Sequence, residues 1–329
     1  MTNWDKSLYN CKNIQLKKRG FKERGVSIML VSTQKIWRPL TLEEAWEVIE
    51  SLDQEEYCFV AGGTWLRTQW ESNLRPYAPN LISLENIEQI SEIREDFSSG
   101  QHEIIIGSGV TLTNCLKSDL LKRYVHTLIE AIKKIAALSI RNQATIGGNV
   151  MTAAGDSITS LLVEKAELIW FKAGFFELET LEGWLDHTKT NDKRILAGIK
   201  IKTEEKRKDS FSFFTKVGRR EAFTASILTI AGKGTVTEDG VYQDVVLGAA
   251  GGKKPVRLKN TENRLCNTKH SNGLLQWVHK EVQAEFQATS DPFSTASYKR
   301  MVAANSIVSE FYQLHQEVQK GGGSLVVES

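Results

Sequence analysis

Cysteine is scarce in this chain. Cys11, Cys58, Cys115 and Cys266 are the only four in 329 residues, and no two form a C-x-x-C pair. The spacing that seeds a zinc site or holds an iron-sulfur cluster is therefore missing, and the four are expected to be reduced thiols of a cytoplasmic protein. Long apolar runs are missing as well: no stretch approaches the roughly 20 residues that a membrane-spanning helix needs, so a soluble protein with no membrane partner is expected. Charge of one sign is not in excess either. The 42 Lys and Arg against 40 Asp and Glu leave a net charge of +2, a field too weak to favour nucleic acid. The expected partner is neutral or small.

The length argues for two or three packed units. Before Met29 the chain carries Lys6, Lys12, Lys17, Lys18, Arg19, Lys22 and Arg24, and the apolar VSIMLV that follows is too short for a secretory signal. Residues 1–28 are either a flexible basic arm or lie before a natural start at Met29. Regular patterns begin beyond it. Thr41, with Glu44 three residues on and Leu42, Ala45, Val48, Ile49 and Leu52 at helical spacing, predicts a capped helix. Tyr57 to Ala61 reads as a short buried strand running into a glycine turn. EIIIGSGVTLTN, from Glu103, reads as a strand, a G-x-G and a helix beginning near Thr111. Leu112 stands where a dinucleotide loop would place its third glycine, so this G-x-G is read as a tight structural turn.

The helical pattern HTLIEAIKKIAAL precedes the stretch RNQATIGGNVMTAAGDS (141–157), and SITSLLVEKA follows it as a second helix. RILAGIKI, SFSFFTKV, EAFTASILTIAGKGTV and VYQDVVLGAAG predict strands of a β-rich unit. The charge cluster 203–210 before it reads as a solvated turn, the segments from 273 to 318 as helices, and QKGGGSLVVES as a flexible tail.

Two loops share one chemical character. VAGGTWLRT (60–68) and ATIGGNV (144–150) each carry a Gly-Gly pair, which lets successive N-H groups converge on an anionic oxygen. Thr64 and Thr145 add hydroxyl donors, and Asn149 adds an amide. Either pair alone is as readily a plain turn. Two of them, about eighty residues apart, suggest a ligand that spans two subdomains.

VAGGTWL, LISLENIEQISEI, EIIIGSGVTLTN, SIRNQATIGGNV and KVGRREAFTASI, with AAGGKKPVR near 251–257, occur in the order found in the FAD-binding medium subunits of the molybdenum hydroxylases, the family of xanthine dehydrogenase and carbon monoxide dehydrogenase flavoproteins. The chain resembles that family over roughly 30–310. The resemblance implies an α+β fold: a two-subdomain FAD-binding domain of the vanillyl-alcohol-oxidase (PCMH) type at 29–205, its subdomains about 29–86 and 87–205. A small domain of β-sheet plus helices would follow at 206–315, then a flexible tail at 316–329. Val60, Ala61, Gly62, Gly63, Thr64, Trp65, Leu66 and Arg67, with Thr145, Gly147, Gly148 and Asn149, would hold the FAD pyrophosphate and adjoining ribityl or ribose groups. Asp156 would take the polyol. The backbone at Leu196 and the cation of Lys216 would lie by the isoalloxazine, where positive charge stabilises reduced flavin; the ordinary alternatives are Asp156 as a helix N-cap and Lys216 as a surface charge. Relative to the family, VMTAAGDS is about two residues short and Trp65 replaces a small or polar residue.

No His or Cys lies in the glycine loops, so FAD is expected to be non-covalent. No catalytic side chain and no metal ligand of this chain is implied. The resemblance implies a [2Fe-2S] subunit and a molybdopterin subunit as partners in a dimer of heterotrimers, NAD+ as acceptor, and xanthine as first-choice substrate of the complex. A single-chain FAD oxidase or reductase of the same fold, or a flavin-free docking subunit, are the alternatives.

Overall fold

The computed structural model describes residues 34–53, 55–187, 193–203, 207, 209–219 and 226–319. The expected basic arm, residues 204–206 and 208 of the charge cluster, residues 220–225 of the KVGRR segment and the tail from 320 lie outside them. Thr41 caps the first helix as its spacing predicts: its hydroxyl accepts from Glu44 N at 3.1 Å, and Leu40 N donates to Glu44 Oε2 at 2.8 Å. That helix, α1 (Leu42–Glu50), lies between β1 (Lys35–Trp37) and β2 (Tyr57–Val60); α2 (Thr64–Glu71) and β3 (Asn80–Ser83) follow. The three strands pair in parallel in the order β1-β3-β2.

A second, antiparallel sheet has the order β4-β5-β8-β6-β7, with β4 (Ile93–Asp96), β5 (Glu103–Gly107), β6 (Glu167–Lys172), β7 (Phe175–Thr180) and β8 (Ile195–Lys202). Its helices are α3 (Leu112–Lys117), α4 (Asp119–Tyr124), α5 (His126–Lys133), α6 (Leu138–Arg141), α7 (Ile146–Val150), α8 (Ser157–Val163) and α9 (Leu181–His187). Two features depart from the sequence expectation. The pattern expected to run as one helix to Leu138 breaks after Lys133, with Ala136 at φ +45°. The Arg141 guanidinium donates to the carbonyls of Ile135 and Ala136, at 2.8 and 2.6 Å, in the turn that follows the helix. The β6–β7 hairpin was not read from the sequence, because its two-residue turn is Ala173-Gly174, both at positive φ, where Asn-Gly is the usual signal.

The third sheet has the order β12-β11-β10-β9, antiparallel, from β9 (Ser210–Gly218), β10 (Ser226–Val236), β11 (Val241–Ala250) and β12 (Val256–Arg257). The remaining elements are α10 (Lys259–Leu265), β13 (Thr268–Lys269) paired to β11, α11 (Asn272–Glu285) and α12 (Ala296–Gln319), which extends past the boundary expected at 315.

Each sheet has a core of its own. Leu42, Ile49 and Ile82 of the first unit also pack on Phe171 and Ile195 of the second. Ala131 and Val163, on α5 and α8, pack against Phe214, Ala231 and Val246 of the third sheet. Polar groups cross that seam too: Thr159 and Thr229 hydroxyls are 2.6 Å apart, and Lys233 Nζ donates to Glu164 Oε2 at 2.5 Å. The architecture is α+β, and no helix among the described residues is long and apolar enough to cross a membrane.

Candidate functional site

The first glycine loop ends β2 and opens α2. Gly63 stands at the N-cap with φ +66°, a left-handed conformation that glycine adopts without steric cost. It offers no side-chain cap, so the first-turn amides of α2, which a helix cannot bond internally, have no capping side chain. Gly62 has a different constraint. A Cβ there would overlap the Gln143 carbonyl oxygen and stand 3.0 Å from Ala144 Cα. The two glycine loops, far apart in sequence, therefore touch backbone to backbone.

The second loop is braced from below by the G-x-G turn. Gly147 N donates to Ser108 O at 3.0 Å, Ile146 N to Val110 O at 2.9 Å, and Gly109 N to Ile90 O at 2.8 Å. The G-x-G is thus a structural turn, as its missing third glycine suggested. Buried Thr145 caps α7, its hydroxyl oxygen accepting from Gly148 N at 3.0 Å; the hydroxyl proton remains to be donated. Asn149 Oδ1 accepts from Ser157 Oγ at 2.6 Å and from Ser157 N at 3.3 Å, which serves the start of α8 and leaves the amide nitrogen as donor. Gly155 is required beside it, because a Cβ there would overlap Asn149 Oδ1.

Asp156 occupies the N-cap position of α8 but makes no capping bond. Instead it pairs with Lys216, Oδ2 to Nζ at 2.7 Å, with their side chains only 14% and 10% exposed. Lys216 is therefore not a surface charge. Leu196 is buried on β8, and the carbonyl of its neighbour Ala197 accepts from Ser108 N at 3.0 Å, so this backbone abuts the turn beneath the second loop.

The structure therefore brings the first loop, at Gly62, against Gln143 and Ala144 at the start of the second loop, and joins Asp156 to Lys216. Val60 and Ala61 are half-buried on the approach. The side chains of Leu66 and Arg67 are committed elsewhere: Leu66 packs on Cys58 and Ala78, and Arg67 pairs with Glu71 in solvent. Trp65 is exposed at the start of α2. Sequence reasoning missed Ser108, Gln143, Gly155 and Ser226, whose hydroxyl donates to Asp156 Oδ1 at 2.5 Å. Only Gly155 carried a signal, as part of a run of small residues. Burial pushes the Cys115 thiol up to about 12, which makes it an inert core residue.

This donor set fits FAD. A cradle without side chains, an uncapped helix start, a hydroxyl and an amide donor suit pyrophosphate oxygens, and a carboxylate suits ribityl hydroxyls.

Comparisons with known proteins agree with that chemistry. Residues 31–201, more than half of the chain, match the model of the FAD binding domain in molybdopterin dehydrogenase, and residues 213–314 match the CO dehydrogenase flavoprotein C-terminal domain. The nicotinate dehydrogenase FAD-subunit of Eubacterium barkeri is 26% identical over 239 residues, 70% of this chain and 79% of that protein. The xanthine dehydrogenase FAD-binding subunit of Escherichia coli O157:H7 is 29% identical over 133 residues, 40% of this chain and 44% of that relative, so the match spans less than half of it. The reconstituted CO dehydrogenase from Oligotropha carboxidovorans superposes with a TM-score of 0.75 at 19% identity, over 84% of this chain and 95% of the matched one, which is a likeness of fold. The chain belongs to the family of FAD-binding domains of molybdopterin dehydrogenases.

Proposed function

We propose that the chain is the FAD-carrying electron-transfer subunit of a multi-subunit molybdenum hydroxylase. The observation that carries this reading is the contact of the two glycine loops at Gly62 and Gln143, which makes one cradle from two subdomains. FAD held there would supply both one-electron and two-electron redox chemistry. The chain's own residues bind and orient it. Amides of the first loop and the Thr145 and Asn149 donors hold the pyrophosphate, Asp156 accepts from the polyol, and Lys216 and the backbone at Leu196 flank the isoalloxazine. Two of the three Lys216 N-H donors are used, by Asp156 and by Lys134 O, and the third is available to the flavin. The divisions at about 86 and 205 belong to this reading and are supported by the three separate sheets; the C-terminal unit includes α12 to Gln319.

Partners are a [2Fe-2S] subunit that delivers electrons and a molybdopterin subunit that oxidises the substrate, assembled as a dimer of heterotrimers in the cytoplasm. NAD+ is the acceptor, and the substrate is a nitrogen heterocycle, xanthine first. The names of the relatives, nicotinate and xanthine dehydrogenase subunits, support that class. The test is a visible absorbance spectrum of the purified chain followed by acid precipitation. A yellow protein that releases FAD into the supernatant is expected. A colourless protein that takes up no added FAD would sink the reading and leave a flavin-free docking subunit. The isolated chain is expected not to oxidise xanthine with NAD+; turnover by the chain alone would mean a complete single-chain enzyme.

A further inference from the structure

Asp156 and Lys216 face each other across the seam between the second and third sheets, and a third residue with no assigned role completes their arrangement. The Ser226 hydroxyl, at the first position of β10, donates to Asp156 Oδ1 at 2.5 Å. Asp156 Oδ2 accepts from Lys216 Nζ at 2.7 Å, and the same Nζ donates to Lys134 O at 2.9 Å. A pair this buried repays its desolvation only when its geometry is tight and further hydrogen bonds satisfy its atoms, and Ser226 supplies such a bond.

The backbone is shaped to place it. Pairing of β10 with β9 shifts register between Ser226 and Leu228, a bulge of the kind that re-aims a side chain. Gly251 faces that bulge at φ +132°, and a Cβ there would stand 2.7 Å from Ile227 O. The bulge and the glycine together let β10 begin with Ser226 against Asp156.

We propose that Ser226 is a positioning residue of the flavin site, acting through Asp156, so that the seating of the C-terminal sheet sets FAD affinity and flavin potential. It rests on the reading that Asp156 and Lys216 contact FAD. Ser226 and Lys216 occupy two of the roughly four lone-pair sites of the carboxylate, one on each oxygen, which would leave the other two for the ribityl hydroxyls. Without the Ser226 hydroxyl, Asp156 carries more charge against Lys216, and the cation's field at the flavin falls.

The test is FAD titration of the full chain by equilibrium dialysis, with the flavin midpoint potential measured beside it, for Ser226→Ala, Ser226→Cys, Asp156→Asn and the Ser226→Ala/Asp156→Asn pair. Ser226→Ala is expected to weaken FAD binding by about tenfold, the worth of one hydrogen bond to a charged group, and to shift the potential negative. In the Asp156→Asn background it should add little. Thermal unfolding of the flavin-free proteins checks the fold, and if Ser226→Ala does not fold, the nearly isosteric Ser226→Cys reads the same effect. If Asp156→Asn weakens FAD while the folded Ser226 variant binds and titrates like wild type, the positioning role is overturned and the Asp156 contact stands. If Asp156→Asn changes nothing, the contact fails, and the positioning role with it.

Discussion

Replacing Gly62 by alanine tests the two-loop cradle directly. The added methyl would overlap the Gln143 carbonyl oxygen and lie 2.6 Å from its carbon. Both are backbone atoms, which no rotamer change can move away. Overpacking of this kind costs about 1–3 kcal/mol, and the strain is relieved only by parting the two loops. If about 3 kcal/mol falls on the cradle, FAD affinity drops by about a hundredfold. Gly63→Ala is the control. There the nearest atom to a new Cβ is Val60 Cγ1 at an ordinary 3.7 Å, so the left-handed backbone costs about 1–2 kcal/mol without any clash between the loops. Equilibrium dialysis with FAD and urea unfolding, run on both variants, separate the two effects. A Gly62→Ala protein that binds FAD as tightly as wild type would refute the contact between the loops.

Gly155→Ala should displace Asn149, since the new methyl meets its Oδ1; the expected result is weaker FAD binding and a lower thermal midpoint, both absent if Asn149 has no part in the site. Ala173→Asn places in the β6–β7 turn a residue that tolerates the left-handed region, and should raise stability by about 0.5 kcal/mol in urea unfolding. Arg141→Met leaves the Ile135 and Ala136 carbonyls without their donor and should cost about 1–3 kcal/mol, read by the same denaturation. His270 is held down to about 4, first by burial and then by the His315 ring stacked 3.6 Å away. Its folded value lies below its ordinary 6.5, so the unfolded chain takes the proton first. Stability is intact above pH 6.5 and should fall as the pH drops toward 4. His270→Phe should flatten that slope in urea titrations across this range, and an unchanged slope would count against it.

Much of the local structure was legible. The Thr41 cap, the buried Tyr57 strand, the helix start at Thr111 and the strands of the β-rich unit depend on residues within a few positions of one another, where capping and alternation leave a pattern. The G-x-G was correctly read as structural because one missing glycine suffices to break a phosphate loop. The hairpin at Ala173-Gly174 escaped notice, since alanine at positive φ has no sequence signature. The end of α5 escaped too, because no local Gly or Pro breaks it; the carbonyls of the following turn accept from Arg141 of the next helix.

By itself the sequence determined many of the local elements and the two glycine loops as ligand candidates, because backbone freedom and helix periodicity are properties of short stretches of chain; the α+β class came from the order of its family motifs. Tertiary structure alone decided that Gly62 lies on Gln143, that Asp156 pairs with Lys216, and that Ser226 donates to Asp156. Those partners stand 60 to 81 residues apart in sequence. They meet only because three sheets pack against one another, and packing between distant surfaces leaves no period in the sequence to read.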